Sequence, residues 1–455
     1  MKEHTKLIII FAVSLALFAA PSVIRWSSGM QGIIGTPTYM HERIAQDILD
    51  GKFNWYDNLS FEGRFYSYPP GMVFMLSALG YITGVEIASV LLLAIFGAAG
   101  IVLFYLISKN HVSQKNLCIL LLITTPGLIK LYAHLSTRAP GITLGLAAIY
   151  LCYKKKHAMA GLLLGVSYLI HPEPPIIFSL IILVWFILEK QNLKGFGKVF
   201  FIGAIIGALW YGPFIAQHGF IEYNSLHQDY RNRGYSLETS GPTNFLWEIK
   251  GMALDNGGYL SIPILLMSIL GLLFVKNSPA KIWFLIIMIL CIAAARFLEY
   301  LPFFAALLVT GLLDRIKGKK KYSMIISLII LYAVIIAVLR IDTLYQDYPS
   351  SGEYEAFTWI RNNVPENETV FSDWQWGHWI TGISNRKVYL DGYAEYAPDI
   401  NQRMDMLKKF YATCELPQNI RYVYMEKWLL DRMNTTCTGN FTIIYNKDGS
   451  MVLKK

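Results

Sequence analysis

Long apolar blocks with almost no charged residues inside them dominate this sequence and constrain its fold most strongly. They cover Leu7 to Ile24, Ile87 to Ile107, Phe200 to Ile215, Tyr259 to Val275, Ile282 to Ala295 and Met324 to Leu339. Segments of this kind are typical of helices that cross a lipid bilayer. Hydrophobic residues make up 54% of the chain and charged residues 16%, which is more apolar surface than a soluble domain can bury. We therefore predict an α-helical polytopic membrane protein.

The first apolar block has two interpretations. It follows two lysines and ends in Ala19-Ala20-Pro21, as cleaved signal peptides do. Its apolar run is longer than a usual signal core, and Arg25-Trp26 at its end suits the membrane interface. We therefore assign this block as the first span, with a cytoplasmic N-terminus.

The distribution of lysine and arginine predicts how the chain is threaded through the membrane. If the short apolar segment from Gly71 to Val85 lies on the outer surface, every basic connection falls on the cytoplasmic side, as the positive-inside rule requires. These connections hold Lys109 and Lys115, Lys154 to Lys156, Lys190 to Lys198, Lys276 and Lys281, and Arg315 to Lys321. If that segment crosses the membrane, all of them move outside. We therefore predict about eleven spans and an extracytoplasmic C-terminus.

Three predicted outer regions are too long to be simple connections, and long loops of compact proteins usually carry function. They are residues 27–85, residues 217–257 and the chain after about Asp342. We predict a transmembrane domain over residues 1–342, with 27–85 as its large first outer loop, and a soluble extracytoplasmic domain over residues 343–455. Asn-x-Ser/Thr sequons fall in the first and last of these regions, at Asn58, Asn367, Asn434 and Asn440.

Cysteine usage and net charge fit this arrangement. Cys414 and Cys437 are the only cysteines outside the spans, and an oxidising exterior would let them pair. Cys118, Cys152 and Cys291 lie in apolar blocks and are predicted to pack as small hydrophobes. The net charge of +9 comes mostly from the cytoplasmic clusters, so we expect the lipid bilayer, and no nucleic acid, as a partner.

The last outer region alternates β-branched runs with helical patterns, which is typical of a small α/β domain. Strands are predicted at Thr369 to Phe371, Lys387 to Leu390, Arg421 to Met425 and Phe441 to Tyr445, and helices at Glu353 to Asn362 and Ile400 to Tyr411. The aromatic segment Ser372 to Trp379 directly follows the first strand, where α/β proteins tend to place binding loops.

Three segments resemble the catalytic subunit of oligosaccharyltransferase and related GT-C glycosyltransferases. Ser372 to Trp379, with Asn385 to Gly392, resembles the Trp-Trp-Asp-Tyr-Gly region, which helps that family hold an acceptor peptide. Tyr39 to Ile44 is similar to its Tyr-Tyr-His-x-Arg-Ile motif and is followed by a loop with a Tyr-Pro-Pro ending. Ala295 to Pro302 resembles its membrane arginine segment. The resemblance implies a GT-C fold for the membrane part of the chain.

The sequence also departs from the family's motifs. Pro37 occupies the place of the first-loop acidic residue, and the second outer loop, Leu135 to Pro140, lacks an acidic pair. In the Trp-Trp-Asp-Tyr-Gly region, Asp373 replaces the first Trp and Gln375 replaces the Asp. These departures leave open a divergent enzyme or an inactive relative.

Transfer from a polyprenyl-phosphate donor needs a carboxylate base or metal ligand, and the first outer loop offers three candidates. Asp57 is preferred because it lies in a turn-rich loop close to the Tyr-Pro-Pro sequence; Glu42 and Asp47 lie on a predicted helix, where their spacing does not place them squarely on one face. A solvated surface carboxylate is the alternative for each of them. A divalent cation such as Mg²⁺ or Mn²⁺ is a candidate cofactor, and its ligands stay open.

The departing phosphate needs cations. Arg296 and Arg138 lie near the outer ends of predicted spans, where an arginine needs an anionic or solvated partner. For Arg296 the alternatives are snorkelling to the interface or pairing with Glu299 one turn away. The resemblance adds His41 and Arg43 as further phosphate-binding candidates.

Two further sets of residues complete the candidate site. His171 and Glu173 lie in a Pro-interrupted segment at the outer surface, where a simple helix cap and turn is the alternative. The resemblance assigns acceptor binding to the segment around Gly377, for which an aromatic belt on the membrane surface is the alternative. The acceptor candidates are Trp374, Gln375, Trp376 and Gly377.

The resemblance therefore implies a membrane glycosyltransferase. It would transfer a sugar or glycan from a polyprenyl (dolichyl) phosphate-linked donor to a protein or lipid-linked acceptor outside the cytoplasm. The alternative is a non-catalytic membrane protein that binds lipid-linked glycan or scaffolds a transferase.

Overall fold

The computed structural model describes residues 2–32, 34–219, 262–275, 278–293, 295–318, 322–345, 349–393, 397–432 and 441–455. These residues are mostly helical and belong to two compact units. The first unit consists of Met1–Gly32, Pro69–Met72 and Val90–Tyr345, and the second of Ile33–Tyr68, Val73–Ser89 and Gln346–Lys455. Most of residues 27–85, the predicted first outer loop, therefore belongs to the same compact unit as the C-terminal segment.

The α-helices of the described residues are numbered here in chain order. They are α1 (Glu3–Ser27), α2 (Thr36–Leu49), α3 (Gly71–Thr83), α4 (Val85–Ser108), α5 (Lys115–Ile123), α6 (Pro126–Ala133), α7 (Arg138–Tyr153), α8 (His157–Tyr168), α9 (Glu173–Leu188), α10 (Leu193–His218), α11 (Ile262–Phe274), α12 (Pro279–Ala293), α13 (Leu301–Ile316), α14 (Tyr322–Tyr345), α15 (Ser351–Asn363), α16 (Trp374–Trp379), α17 (Ile400–Thr413) and α18 (Lys427–Arg432). A 3-10 helix, Ala295–Tyr300, leads into α13.

Among the described residues, five helical segments are long and apolar enough to cross a membrane: Glu3–Ser27, Val85–Ser108, Leu193–His218, Phe297–Ile316 and Tyr322–Leu339. The pair α5 and α6, bent by 65°, forms a sixth candidate. The shorter apolar helices are Gly71–Thr83, His157–Tyr168, Glu173–Leu188, Pro263–Phe274 and Pro279–Ile292. The chain is a multi-pass membrane protein built from apolar helices.

Small residues let α8 and α10 of the first unit pack closely. A Cβ atom on Gly161 would lie 2.8 Å from the Val199 carbonyl oxygen, and one on Gly165 would lie 2.6 Å from the Ile206 side chain. Close approach through glycine is how membrane helices gain contacts where the hydrophobic effect is absent.

The cysteines behave as the sequence predicts where the structure describes them. Cys118, Cys152 and Cys291 are free and buried, which confirms that they pack as small hydrophobes. Cys414 is disulfide-bonded. Its predicted partner, Cys437, lies outside the described residues.

A five-stranded sheet forms the centre of the C-terminal segment. The strands are β3 (Thr369–Phe371), β4 (Lys387–Val388), β5 (Tyr422–Glu426), β6 (Thr442–Lys447) and β7 (Ser450–Lys454), after a short hairpin of β1 (Tyr56–Asp57) and β2 (Arg64–Phe65) in the first outer loop. The sheet order is β4-β3-β5-β7-β6. The strand β3 is parallel to β4 and β5, and β7 is antiparallel to β5 and β6. All four predicted strands are present, but the sequence analysis missed β7.

The core of the second unit joins the sheet to the helices on it. Phe357 of α15, Trp376 of α16, Tyr424 of β5 and Val452 of β7 are buried together. Tyr39 of α2 belongs to the same cluster, and a Cβ atom on Gly382 would lie 2.6 Å from the Tyr39 Cβ atom. The helix α2 is therefore packed against the C-terminal segment, which fixes the position of its polar side chains.

Candidate active site in the second unit

The helix α2 carries four of the predicted site residues. It begins after Gly35, which has a φ of 96°, and has a proline in its first turn. His41 is fully buried, and Arg43 lies 3.9 Å from Asp47 one turn later. Burial raises the pKa of Glu42 to about 8, against a hydrogen bond with Ser89, so this carboxyl favours its neutral form.

Asp57, at the end of β1, is a buried ion-pair partner and not a solvated carboxylate. Its Oδ2 atom accepts a 2.5 Å hydrogen bond from the Arg43 guanidinium, and its Oδ1 atom accepts from the backbone N–H groups of Leu59 and Ser60. Burial opposes ionisation of Asp57, but the charge and hydrogen bond of Arg43 outweigh it and hold its pKa below the ordinary value. Both carboxylate oxygens are therefore already engaged.

A second buried carboxylate, Asp391, follows β4 and was not predicted as a site residue. It accepts a hydrogen bond from the Ser60 hydroxyl and another, at 2.9 Å, from the Tyr393 backbone N–H. Its oxygens also lie 3.9 Å from the Arg64 guanidinium and 3.8 Å from His378 Nδ1. Asp391 therefore ties the β1–β2 hairpin to the C-terminal segment. Two sequence signals pointed to Asp391: its place directly after a predicted strand, and its place in the segment Asn385 to Gly392 that carries the family resemblance.

His41 lies in an aromatic cluster with Tyr68 and Tyr393. Its ring centroid is 5.4 Å from that of Tyr68 and 6.4 Å from that of Tyr393. Within the described residues neither ring nitrogen of His41 has a hydrogen-bond partner. Burial, with a smaller contribution from His378, lowers the pKa of His41 to about 3, so the imidazole is neutral at physiological pH.

The β1–β2 hairpin and α2 surround a cavity of about 220 Å³. Its lining residues are Arg43, Ile44, Asp47, Lys52, Phe53, Asn54, Tyr56, Asp57, Asn58, Leu59, Tyr66 and Asn385. The cavity therefore brings together Asp57, Asp47 and Arg43 from the predicted set, whereas Glu42 does not line it. Asp47 keeps 37% of its side chain exposed, and burial raises its pKa against the charge of Arg43.

The other phosphate candidates lie in the first unit. Arg138, at the start of α7, forms a 2.9 Å ion pair with Glu299. The structure therefore shows Arg138 as a partner of Glu299, the residue that was also the alternative partner of Arg296. Arg296 lies in the 3-10 helix before α13, and its side chain is outside the described part of the structure.

The segment His171 to Glu173 forms the start of α9. The Glu173 backbone N–H donates a 3.1 Å hydrogen bond to His171 Nδ1, which is the cap-and-turn arrangement. The Glu173 carboxylate also accepts a 3.2 Å hydrogen bond from the Tyr300 hydroxyl. These contacts give both residues a structural role at the helix start.

The acceptor candidates differ in accessibility. Gln375 is exposed and Trp374 is half-buried, so both can be reached from solvent. Trp376 is buried in the core, and its indole N–H donates a 3.2 Å hydrogen bond to Glu353. A Cβ atom on Gly377 would lie 2.2 Å from the Leu390 carbonyl oxygen, so this glycine permits close backbone packing. Burial of Trp376 also shows that it is not part of a membrane-surface belt.

The divalent cation stays a candidate cofactor without assigned ligands. Among the residues that the structure describes, no group of three or more His, Cys, Asp or Glu residues is placed to hold a metal ion.

Comparison with known proteins shows where this fold occurs. No family model matches the chain. The dolichyl-phosphooligosaccharide-protein glycotransferase 2 of Pyrococcus horikoshii is 27% identical over 139 residues, which is 30% of this chain and 18% of that protein. The match thus spans less than a fifth of that relative's length.

Solved structures match along almost the whole chain. The archaeal oligosaccharyltransferase AglB from Archaeoglobus fulgidus, in complex with an inhibitory peptide and a dolichol-phosphate, matches 99% of this chain and 74% of its own, with a TM-score of 0.65 and 13% identity. ArnT from Cupriavidus metallidurans bound to undecaprenyl phosphate matches 100% of this chain and 98% of its own, with a TM-score of 0.65 and 12% identity. The arabinofuranosyltransferase AftD from Mycobacteria matches 100% of this chain and 40% of its own, with a TM-score of 0.58 and 12% identity. The chain therefore has the GT-C fold of these membrane glycosyltransferases.

Proposed function

We propose that this chain is a membrane glycosyltransferase that moves a sugar or glycan from a polyprenyl phosphate-linked donor to a protein or lipid-linked acceptor. The observation that carries the proposal is similarity in fold over 99% of the chain to AglB holding a dolichol-phosphate and over 100% to ArnT holding undecaprenyl phosphate. Both ligands are polyprenyl phosphates. We therefore assign this donor class. The sugar is not assigned, and the acceptor is either a protein or a lipid-linked molecule.

The proposed topology supports such a reaction outside the cytoplasm. If α1, α4, the bent pair α5 and α6, and each helix from α7 to α14 cross the membrane, the chain has about eleven spans. With a cytoplasmic N-terminus, the second unit lies on the extracytoplasmic side. The basic connection after α7, Lys154 to Lys156, then lies inside, as the positive-inside rule requires.

Among the three candidate carboxylates, we assign the role of general base to Asp47. Asp57 is engaged by Arg43 and two backbone N–H groups, and its lowered pKa makes it a weak base. Asp47 lines the same cavity, is partly exposed and has a raised pKa, which brings it closer to neutral pH. Asp57 then acts by holding Arg43 in place, and Glu42, outside the cavity, supports α2.

We assign donor-phosphate binding to Arg296 first. Arg43 is paired with Asp57, Arg138 with Glu299, and His41 is neutral, so each of these is less suited to an added phosphate. Gln375 and Trp374 remain the acceptor candidates because they are accessible.

One observation favours the alternative of a non-catalytic protein that binds lipid-linked glycan or scaffolds a transferase. Asp57, the catalytic carboxylate preferred from the sequence, is fixed in a buried ion pair, which is a structural use of that residue. The two functions differ in whether the purified chain transfers sugar.

Variants of Arg296 test the donor assignment. Arg296→Ala should abolish polyprenyl-phosphate binding and transfer, and Arg296→Lys should keep part of both because charge remains while bidentate geometry is lost. Arg315→Ala is the matched control, since Arg315 is an exposed arginine in the last turn of α13. Equal donor binding by Arg296→Ala and Arg315→Ala would refute the assignment.

A further inference from the structure

The cavity between α2 and the β1–β2 hairpin has features that the proposed transfer step does not use. Two of its buried lining groups, the Tyr66 hydroxyl and the Arg43 Nε–H, have no hydrogen-bond partner among the described residues. Tyr66 is 4% exposed, and the side chain of Arg43 is 10% exposed. A buried donor without an acceptor is costly, so both groups are suited to an oxygen atom of a ligand in the cavity.

The charges around the cavity balance. Arg43 and Lys52 are cationic, and Asp47 and Asp57 are anionic. A phosphate or a sugar acid would meet two carboxylates as well as the two cations, so it gains little net attraction here. The balance favours an uncharged ligand with several hydroxyl groups.

Three amide side chains lie at the mouth of the cavity. Asn54, Asn58 and Asn385 line it and are exposed. The Asn54 side-chain oxygen accepts a 3.1 Å hydrogen bond from the Tyr56 backbone N–H, which orients its NH₂ group as a donor for a ligand. An amide carries both donors and an acceptor, and a sugar hydroxyl can pair with either.

An aromatic ring next to these amides is held in place by the hairpin. Tyr56 is 40% exposed and makes an edge contact with Phe65, with ring centroids 5.3 Å apart. A Cβ atom on Gly63 would lie 2.5 Å from the Tyr56 hydroxyl, so this glycine, at φ 137°, leaves room for the ring. A fixed and exposed ring can stack on the apolar face of a sugar.

The size of the cavity limits the ligand. Pockets for drug-sized molecules are about 300–1,000 Å³, whereas this cavity is about 220 Å³. It suits one ring of a glycan better than a long oligosaccharide or a lipid.

We propose that this cavity binds one uncharged sugar ring of a glycan, which stacks on Tyr56 and forms hydrogen bonds with Asn54, Tyr66 and Arg43. This inference rests on the proposed function in one respect: the cavity would select the glycan that the protein transfers. A site of this kind prefers neutral sugars to uronic acids and phosphates.

Ligand-observed saturation-transfer NMR on the purified full-length protein in nanodiscs tests the site with methyl hexosides as probes. Wild-type protein should bind at least one neutral methyl hexoside, and a methyl hexuronoside should bind about tenfold more weakly. Tyr56→Ala should raise the Kd for the neutral sugar about tenfold, whereas Tyr56→Phe, which keeps the ring, should leave it unchanged. Asn54→Ala should also weaken binding, and Tyr81→Ala, at an exposed aromatic that does not line the cavity, should not.

A second pair of variants tests whether the position of the ring matters. Gly63→Ala would displace the Tyr56 ring and should weaken sugar binding as Tyr56→Ala does. Gly51→Ala is the control, because Gly51 also has a positive φ, of 68°, but has no atom within 4 Å of an added Cβ.

Three results would overturn the site: no binding of any neutral sugar, an unchanged Kd in Tyr56→Ala, or displacement of the sugar by inorganic phosphate or a sequon peptide. Failure of this site and failure of the proposed function are distinguishable. Sugar binding without transfer would refute only the transferase, and transfer with unchanged binding in Tyr56→Ala would refute only the sugar site.

Discussion

Arg43 and Asp57 lie side by side in the second unit, with only 10% and 5% of their side chains exposed. A buried charge that loses its partner is costly, because water cannot replace the lost interaction. Arg43 and Asp57 both line the cavity, so its geometry depends on this ion pair being intact.

Removing one partner of this ion pair should destabilise the protein more than removing both partners. Arg43→Ala leaves the Asp57 carboxylate buried without its cation and should lower the stability of the second unit by about 3–5 kcal/mol. The double change Arg43→Leu with Asp57→Leu removes both charges and should recover much of that loss. Thermal unfolding in mild detergent, followed by tryptophan fluorescence, measures both. Equal losses in the single and double variants would contradict a charge-pair role.

His41 should make stability depend on pH. Its pKa is about 3 in the folded protein against an ordinary value of 6.5, so the unfolded chain binds more protons between these values. The stabilisation is complete above about pH 6.5 and is lost as the pH falls, by about 1.4 kcal/mol per pH unit. His41→Phe keeps an aromatic ring beside Tyr68 and Tyr393 but cannot be protonated. Its unfolding temperature should fall less between pH 7 and pH 5 than that of the wild type; parallel curves would contradict this.

At the scale of secondary structure, Gly377 fixes how closely α16 approaches the strand-end segment at Leu390. Gly377→Ala should destabilise the second unit by at least 2 kcal/mol, about the loss expected when a tightly packed site is overfilled. Gly212→Ala is the matched control, because Gly212 is also helical and has no atom within 4 Å of an added Cβ. That control should be neutral or slightly stabilising. An unchanged unfolding temperature in Gly377→Ala would contradict this role, because the backbone at Leu390 would then have moved to admit the added methyl group.

Elements with a strong local pattern could be predicted from sequence. The strand Thr369–Phe371 was predicted with its observed bounds, and the helix at Glu353 to Asn362 extends in the structure to Ser351–Asn363. The strand Ser450–Lys454 was missed although Asp448-Gly449, with φ values of 49° and 90°, is a typical hairpin turn. The Asp-Gly turn is therefore the sequence signal for this strand.

The site was harder to predict because its contacts join distant parts of the sequence. Asp57 lies in a turn-rich loop, where a solvated carboxylate was the alternative to a catalytic one, but Arg43 and the Ser60 backbone engage it in a buried position. Asp391 meets the Ser60 hydroxyl across 331 positions of sequence, and no local pattern encodes such a contact. Trp376 is a buried ring, and aromatic content alone does not distinguish a core ring from a binding surface.

At the scale of the whole molecule, the proposed topology predicts which residues an impermeant thiol reagent reaches. Gln375→Cys should be labelled in intact cells, since Gln375 is exposed in the second unit. Lys155→Cys, in the connection after α7, should be labelled only after permeabilisation. The native free thiols Cys118, Cys152 and Cys291 are buried and should contribute little background. The reverse labelling pattern would overturn the orientation.

Sugar transfer from a polyprenyl-phosphate donor by purified protein in proteoliposomes tests the proposed function without any intermediate assumption. Radiolabelled polyprenyl-phosphate sugars are supplied with a sequon peptide or a lipid-linked acceptor, and the labelled product is measured. Wild-type protein should form product, and Asp47→Asn should reduce its rate by at least about a hundredfold while keeping donor binding, because loss of a general base affects the chemistry. Absence of product from wild-type protein across the donor panel would contradict the claim and leave the non-catalytic function.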